Sequence, residues 1–402
     1  MPNLFDIVTK RLLEAWRSDE AGDRRQGYRC RCGRPVYFLN SVCLACGAEL
    51  GFQPELREVH ALEPVANGDR RRLDDPALDD REWRRCANLA TAAGCNWLVA
   101  AEETTPFCIS CRLNRTIPDL TDPENGELWR KIENAKRRVV AQLLRLGLPV
   151  KSKVNEDVEH GIMFDFLRSP PGAPRVLTGH DQGLITLNVE EADDPTREQI
   201  RKEMREPYRT LLGHFRHEIG HYYWDRLIAE TAWLDKFREL FGDEREDYAA
   251  ALQRNYEQGP PPDWPDRHIT SYASVHPWED WAETWAHYLH VVDSLDTALR
   301  FGLRGEDVEA AVEPFSIDDL YDPAADDAQQ VILLVNSWLQ LTTVLNELAR
   351  SMGQHDFYPF VMSRPVLRKM HFIQMVVKDA RENSADRARA APPAAATAAA
   401  SG

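Results

Sequence analysis

The chain has 402 residues, 43% of them hydrophobic and 28% charged, and a formal net charge of −16. That balance suits a large domain with a substantial core plus a smaller companion. It excludes the strongly basic class that holds nucleic acid by neutralising phosphates, because about −1 of the charge falls before residue 122 and about −15 after it.

Residues 1–27 read as an amphipathic extension. The charges of MPNLFDIVTKRLLEAWRSDE are scattered, with no apolar core segment and no small-residue cleavage site, so it does not read as a signal peptide. No stretch of the chain reads as a transmembrane helix, and the protein is expected in the cytoplasm, away from membranes.

All eight cysteines lie between residues 30 and 111. Cys30, Cys32, Cys43 and Cys46 form a CxC followed by a CxxC, with glycines after Cys32 and Cys46 that allow tight turns around a metal. This is the pattern of a zinc ribbon. Cys86, Cys95, Cys108 and Cys111 have a wider first pair but close on a CxxC, and no cysteine is left over. Four disulfides would suit a secreted chain, whereas the CxxC pairs without a secretion signal favour thiolates on metal. Residues 28–121 are therefore expected as a double zinc-ribbon domain, with four cysteines to each of two structural zincs. The local basic clusters, Arg24, Arg25, Arg29, Arg31 and Arg34, and Arg70 to Arg72, are interleaved with acids. They read as solvated faces, so a protein partner or substrate presentation suits the ribbon better than nucleic acid.

Pro118, Pro123 and Gly126 in TIPDLTDPENGEL punctuate the chain and place a boundary at residue 122. Beyond it, periodicity predicts helices over 127–146, 196–206, 208–229, 277–292, 326–351 and 364–380, with strands near 162–167 and 183–189. The fold class is α+β: a small ribbon domain, then a mostly helical domain with a short sheet over 122–380. The loop GPPPDWPD, residues 259–266, lies between two of the helices and could rim a cleft. The alanine- and proline-rich tail, 381–402, has nothing to bury and is expected to be disordered.

The 208–229 helix carries HEIGH, with His217, Glu218 and His221. Positions i and i+4 share a helix face, so the two imidazoles can grip one zinc, and Glu218 can reach a water on it as general base. A catalytic zinc needs a third protein ligand and an open position. The metzincin solution, a histidine six residues past the second after a glycine, is excluded by Leu227 and Trp224. Downstream, SYASVHPWEDWAETWAHYLH offers Glu279, Glu283 and His287 on one helical face. Asp280 there reads as a solvated acid near the helix start, and His214, His287 and His290 as ordinary histidines near the ligands.

The ExxxE spacing resembles that of thermolysin and the lethal factor peptidase, in which the first acid binds zinc and the second orients a liganding histidine. The resemblance makes Glu279 the third ligand and Glu283 the orienting group. It also gives Tyr272, seven residues before Glu279, the role of stabilising the tetrahedral intermediate, with His276 as the competing donor. Zinc peptidases of this architecture pair an edge strand beside the active-site helix with extended substrate, which points to Leu184, Ile185, Thr186 and Leu187.

The order CxC, CxxC, CNWLV, FCISCRLNRTIPDL, RTLLGHFRHEIGHYYWDRL, FGDEREDYAAAL and HPWEDWAETWAHYLH, over about residues 28–380, resembles a bacterial family of zinc-binding metallopeptidases with an amino-terminal zinc ribbon. The resemblance implies a zincin-like fold, one catalytic zinc besides the two structural ones, and hydrolysis of a peptide or protein substrate by metal-activated water. Two other readings keep the same metal site: a zinc amidase acting on non-peptide bonds, and a silent zinc-binding scaffold.

Overall fold

The computed structural model describes residues 28–65, 68–170, 172, 174–203, 206–301, 303 and 312–390. The extension expected over 1–27 lies outside them. The architecture is mixed α+β, a cysteine-rich zinc-ribbon region with its own sheet followed by a mostly helical region with a second, small sheet.

The first sheet has five antiparallel strands in sequential order: β1 (Leu50–Gln53), β2 (Glu58–Pro64), β3 (Arg70–Leu73), β4 (Trp83–Arg85) and β5 (Leu98–Ala100). Sequential antiparallel order needs only short turns, as a metal-stapled segment with little core requires. The first four cysteines precede β1, Cys86 directly follows β4, and Cys95 lies just before β5. Buried Asn96 donates from Nδ2 to the carbonyls of Phe38 (2.8 Å) and Asn40 (2.9 Å), tying the first cysteine loop to the strand that leads from the second.

The second sheet has the order β6-β7-β9-β8, from β6 (Asn114–Thr116), β7 (Met163–Leu167), β8 (Gly179–Asp181) and β9 (Leu184–Asn188). β9 runs parallel to β7 and antiparallel to β8. The strand expected to offer a free edge to substrate, Leu184 to Leu187, is therefore interior, and Ile185 and Leu187 are fully buried. The edge on that side of the sheet belongs to β8. The reason is the two-residue turn Gln182-Gly183, whose φ angles of +46° and +85° fit the hairpin turn that folds one strand back on its neighbour. β8 is three residues long and without apolar alternation, so periodicity does not reveal it. β6 lies before the expected boundary at residue 122 yet pairs with β7, and one continuous core joins the second cysteine group to the helices that follow.

Helix α1 (Pro123–Arg145) starts on Asp122, which accepts the Glu124 N–H, with Pro123 where a missing donor costs nothing. Then come α2 (Asp194–Glu203), α3 (Leu211–Leu227), α4 (Leu234–Phe241), α5 (Tyr248–Gln258), α6 (Trp264–Arg267), α7 (Pro277–Arg300), α8 (Ala328–Ser351) and α9 (Arg364–Ala390). The short helices α4 and α5 were not expected. α7 runs past 292 because Leu295 and Ala298 remain buried and no breaker intervenes. α9 continues to Ala390 instead of ending at 380, since RENSADRARA is free of glycine and proline and Pro392 and Pro393 follow only afterwards. The tail beyond, 391–402, lies outside the described residues.

α8, 24 residues long, holds an 18-residue window of mean hydropathy 1.3, enough by length and composition alone to cross a membrane. Its stripe Val331, Ile332, Val335 and Trp338 packs instead on Val291 and Leu295 of α7 and on Val366, Leu367 and Met370 of α9.

What positions the site is the crossing of α3 and α7. Gly220, inside HEIGH, has no side chain where a Cβ would stand only 3.0 Å from Ala282 Cα and 3.3 Å from its carbonyl oxygen. A mid-helix glycine costs about 1 kcal/mol in propensity, and here it lets the two backbones approach. Trp281 Nε1 seals the crossing by donating to the Gly220 carbonyl at 2.8 Å.

Candidate metal centre and cleft

Thr210 caps α3 by accepting the Gly213 N–H, and the helix then presents His217 and His221 one turn apart toward α7. Their ligand nitrogens and a Glu279 oxygen lie within 4.8 Å of one another. The Nε2 atoms of the two histidines are 3.2 Å apart, and Glu279 Oε2 is 3.1 Å from His217 Nε2 and 3.6 Å from His221 Nε2. This oxygen is buried and accepts no hydrogen bond. Two imidazole nitrogens and an orphaned carboxylate oxygen aimed at one point are a donor set that fits zinc.

The surrounding groups fix these three. Glu283 Oε1 accepts from His217 Nδ1 at 2.6 Å and its Oε2 accepts from Thr270 Oγ1 at 2.7 Å. With the proton held at Nδ1, the Nε2 lone pair of His217 faces the centre. The other oxygen of Glu279, Oε1, accepts from the Tyr248 hydroxyl at 2.8 Å. Tyr248 comes from α5 and was not found from sequence; the only signal was its place in FGDEREDYAAAL, far from the metal motifs. Tyr272 lies on a turn just before α7, its ring 6.1 Å from that of His217 and its hydroxyl beside that of Tyr248. Burial, and then the charge of Glu279, raise the pKa of both tyrosines well above the phenol range, so both remain hydrogen-bond donors.

His276 is placed otherwise than expected. It is the N-cap of α7, with Nδ1 accepting the Trp278 N–H at 3.1 Å and Nε2 3.1 Å from the Glu246 carbonyl oxygen. Both nitrogens are engaged in holding the helix start, so no donor is left for an oxyanion. Asp280 is not solvated: it is 1% exposed and bound to Lys369 Nζ at 2.5 Å. His214 pairs with Glu191 at 2.6 Å. Burial opposes ionisation of Glu191, but His214 and Arg209 outweigh it and hold its carboxyl at about 2.

The edge strand β8 stands beside α3, with the His180 ring parallel to that of His221 at 6.3 Å. A cleft of about 560 Å³ opens over His217 and Glu218 and is walled by Arg175 to Thr178, Tyr248, Tyr272 and the α7 face. Leu177 and Tyr256 at its rim are 79% and 70% exposed.

The eight cysteines gather into two tetrads, Cys30, Cys32, Cys43 and Cys46, and Cys86, Cys95, Cys108 and Cys111, each with its thiols within 4.8 Å of one another. A zinc-ribbon domain model matches residues 27–122, and the model described as "Putative zinc-binding metallo-peptidase" matches residues 125–376. The chain belongs to this metallopeptidase family. It is 44% identical over 349 residues to uncharacterized proteins of Mycobacterium bovis and of two Mycobacterium tuberculosis strains, covering 87% of this chain and 94% of each relative. No solved structure matches it significantly. The family match supports zinc as the metal of the chain.

Proposed function

We propose that the protein is a zinc peptidase of the glutamate-ligand type, with His217, His221 and Glu279 holding the catalytic ion and the two cysteine tetrads holding structural ones. One observation carries the reading: among the described residues no fourth histidine, cysteine or acid joins the His217, His221 and Glu279 group, and three protein ligands with an open fourth position distinguish a catalytic zinc from a structural one. This also argues against a silent scaffold.

Held by His217, His221 and Glu279, zinc would supply the Lewis acidity that makes water acidic enough to attack near neutral pH. Glu218, on the same helix turn, takes the proton of the attacking water and passes it to the leaving amine. Glu283 keeps His217 in the tautomer that binds metal, and Tyr248 holds the far oxygen of Glu279 so that the near one points inward. Tyr272 donates to the developing oxyanion, a task that falls to it because His276 is consumed as a cap. The free edge of β8 pairs with an extended substrate backbone, in place of the buried β9.

Glu218→Gln tests the mechanism. The variant is expected to keep its full zinc content while peptide turnover falls by roughly 10²–10⁴-fold, the usual worth of a general base. Turnover at the wild-type rate would refute the assignment.

A further inference from the structure

The cleft continues past the metal site into a recess bounded by Gly213 on α3, by His287 and His290 on α7, and by Tyr208 and Phe360. Its walls are aromatic: Phe360 lies 4.4 Å from the His287 ring, and Tyr208 lies 5.5 Å from His290 and 6.1 Å from Phe360. Gly213 keeps it open, since a Cβ there would stand 3.2 Å from Thr210 Oγ1, 3.4 Å from the Tyr208 ring and 3.7 Å from His290 Nε2. His290 Nε2 therefore faces the space that this glycine leaves.

The protonation of that nitrogen is decided behind the recess. Arg216, only 2% exposed, brings NH1 to 2.6 Å from His290 Nδ1. A guanidinium has only donors, so Nδ1 accepts and the ring proton sits on Nε2. Arg216 is itself fixed by Gln142 Oε1 at 3.1 Å and Asp293 Oδ2 at 2.6 Å. Burial, and then the Arg216 cation, hold His290 neutral by pushing its pKa well below the usual value. The nearby charges are already paired, Arg216 with Asp293, Glu191 with His214 and Arg209, and Glu283 with His217. The recess thus offers the neutral His290 N–H between flat aromatic walls, beside charges that are already paired.

We propose that this recess is a specificity subsite for a side chain ending in a neutral planar amide, glutamine or asparagine, whose carbonyl accepts from His290 Nε2–H. The assignment rests on the peptidase reading above. A carboxylate would have to lose its water beside Glu283 and Glu191 while the neighbouring cations, Arg216 and Arg209, are already paired with Asp293 and Glu191. A leucine would leave the buried donor unpaired.

The test uses the zinc-loaded full chain and a set of internally quenched decapeptides in which glutamine, glutamate or leucine is fixed at each position in turn. At one position flanking the cleaved bond, glutamine is expected to exceed both leucine and glutamate in kcat/KM by at least about tenfold, since a subsite built around a hydrogen bond rejects analogues lacking it. His290→Phe should collapse the glutamine-to-leucine ratio. Gly213→Ala, which sets a methyl group 3.7 Å from His290 Nε2 and leaves the Arg216 contact at Nδ1 in place, should do the same if the first variant fails to fold. Absence of any amide preference, or a ratio unchanged in a folded variant, overturns the proposal. Binding of the same peptides to zinc-loaded Glu218→Gln, followed by fluorescence anisotropy, separates the two claims. Amide-selective binding without wild-type cleavage upholds the subsite and refutes the peptidase reading. Unselective cleavage, or no binding at all, refutes the subsite.

Discussion

The two cysteine tetrads differ in where they sit. In the first, Cys30 and Cys43 are buried while Cys32 and Cys46 are exposed, and its loops carry Leu44 at 97% exposure and Tyr37 at 62%. In the second, all four cysteines are buried, and with Cys30 and Cys43 of the first they belong to the same apolar core as Trp129 and Ile132 of α1 and Phe215 and Trp281 near the candidate metal centre. Cations come with it. Arg137, 1% exposed, donates to the Ala93 carbonyl at 3.0 Å and is drawn toward the Cys95 sulfur, and Lys136, fully buried, pairs with Glu133 at 2.8 Å. Four thiolates on one divalent ion leave a net negative charge, and a buried guanidinium beside them offsets it. One face of α1 thus braces the second tetrad. Its next turns brace the cleft, because Gln142 donates to the Leu289 carbonyl at 2.7 Å and accepts from Arg216, the neighbour of His217. The lesson is that similar cysteine motifs serve different ends: the first, half exposed, staples an outer loop onto the core, and the second, wholly buried, is a joint within it beside the cleft.

Three substitutions would break or sharpen that contrast. Cys108→Ser is expected to have the largest effect. Structural zinc contributes about 10–16 kcal/mol in small domains, comparable with the whole stability of a typical protein. Loss of the cooperative thermal transition, together with loss of the zinc bound by His217 and His221, is the expected outcome; a folded chain short of only one zinc would erase the distinction. Arg137→Met should come next, removing the counter-charge while keeping much of the packing. A destabilisation of about 3–5 kcal/mol by urea unfolding is expected, and a wild-type midpoint would show that the guanidinium does not compensate the thiolates. Cys46→Ser should be the mildest. Metal analysis should find one zinc fewer, with hydrolysis of a peptide by the remaining chain within about twofold of wild type, as for a change far from the site. A collapse of activity would place the first tetrad in the frame as well.

Some of this was legible in the sequence because it is local. The i, i+4 spacing of His217 and His221 places both rings on one face in any helix, and the CxC and CxxC spacings bring thiols together through short loops. The ExxxE spacing of Glu279 and Glu283 resembles known sites closely enough to direct attention to the helix that crosses α3. The roles of single residues were less legible. The resemblance favours Tyr272 with His276 as its competitor, and the capping geometry of α7 separates them. Tyr248 has no spacing relation to the residue it holds.

The sequence by itself determined the two cysteine groups and the helical register that places His217 and His221 on one face, because local backbone geometry suffices for both, while Glu279 came from the resemblance. Tertiary structure decided the rest. Gly220 and Trp281 set how closely α7 approaches, and the Gln182-Gly183 turn made β8 the open edge and buried β9. Burial turned Asp280 into an ion-pair partner and Arg216 into the group that fixes the His290 proton. These are contacts between segments tens of residues apart, and their energy depends on which groups are excluded from water together, which local spacing does not encode.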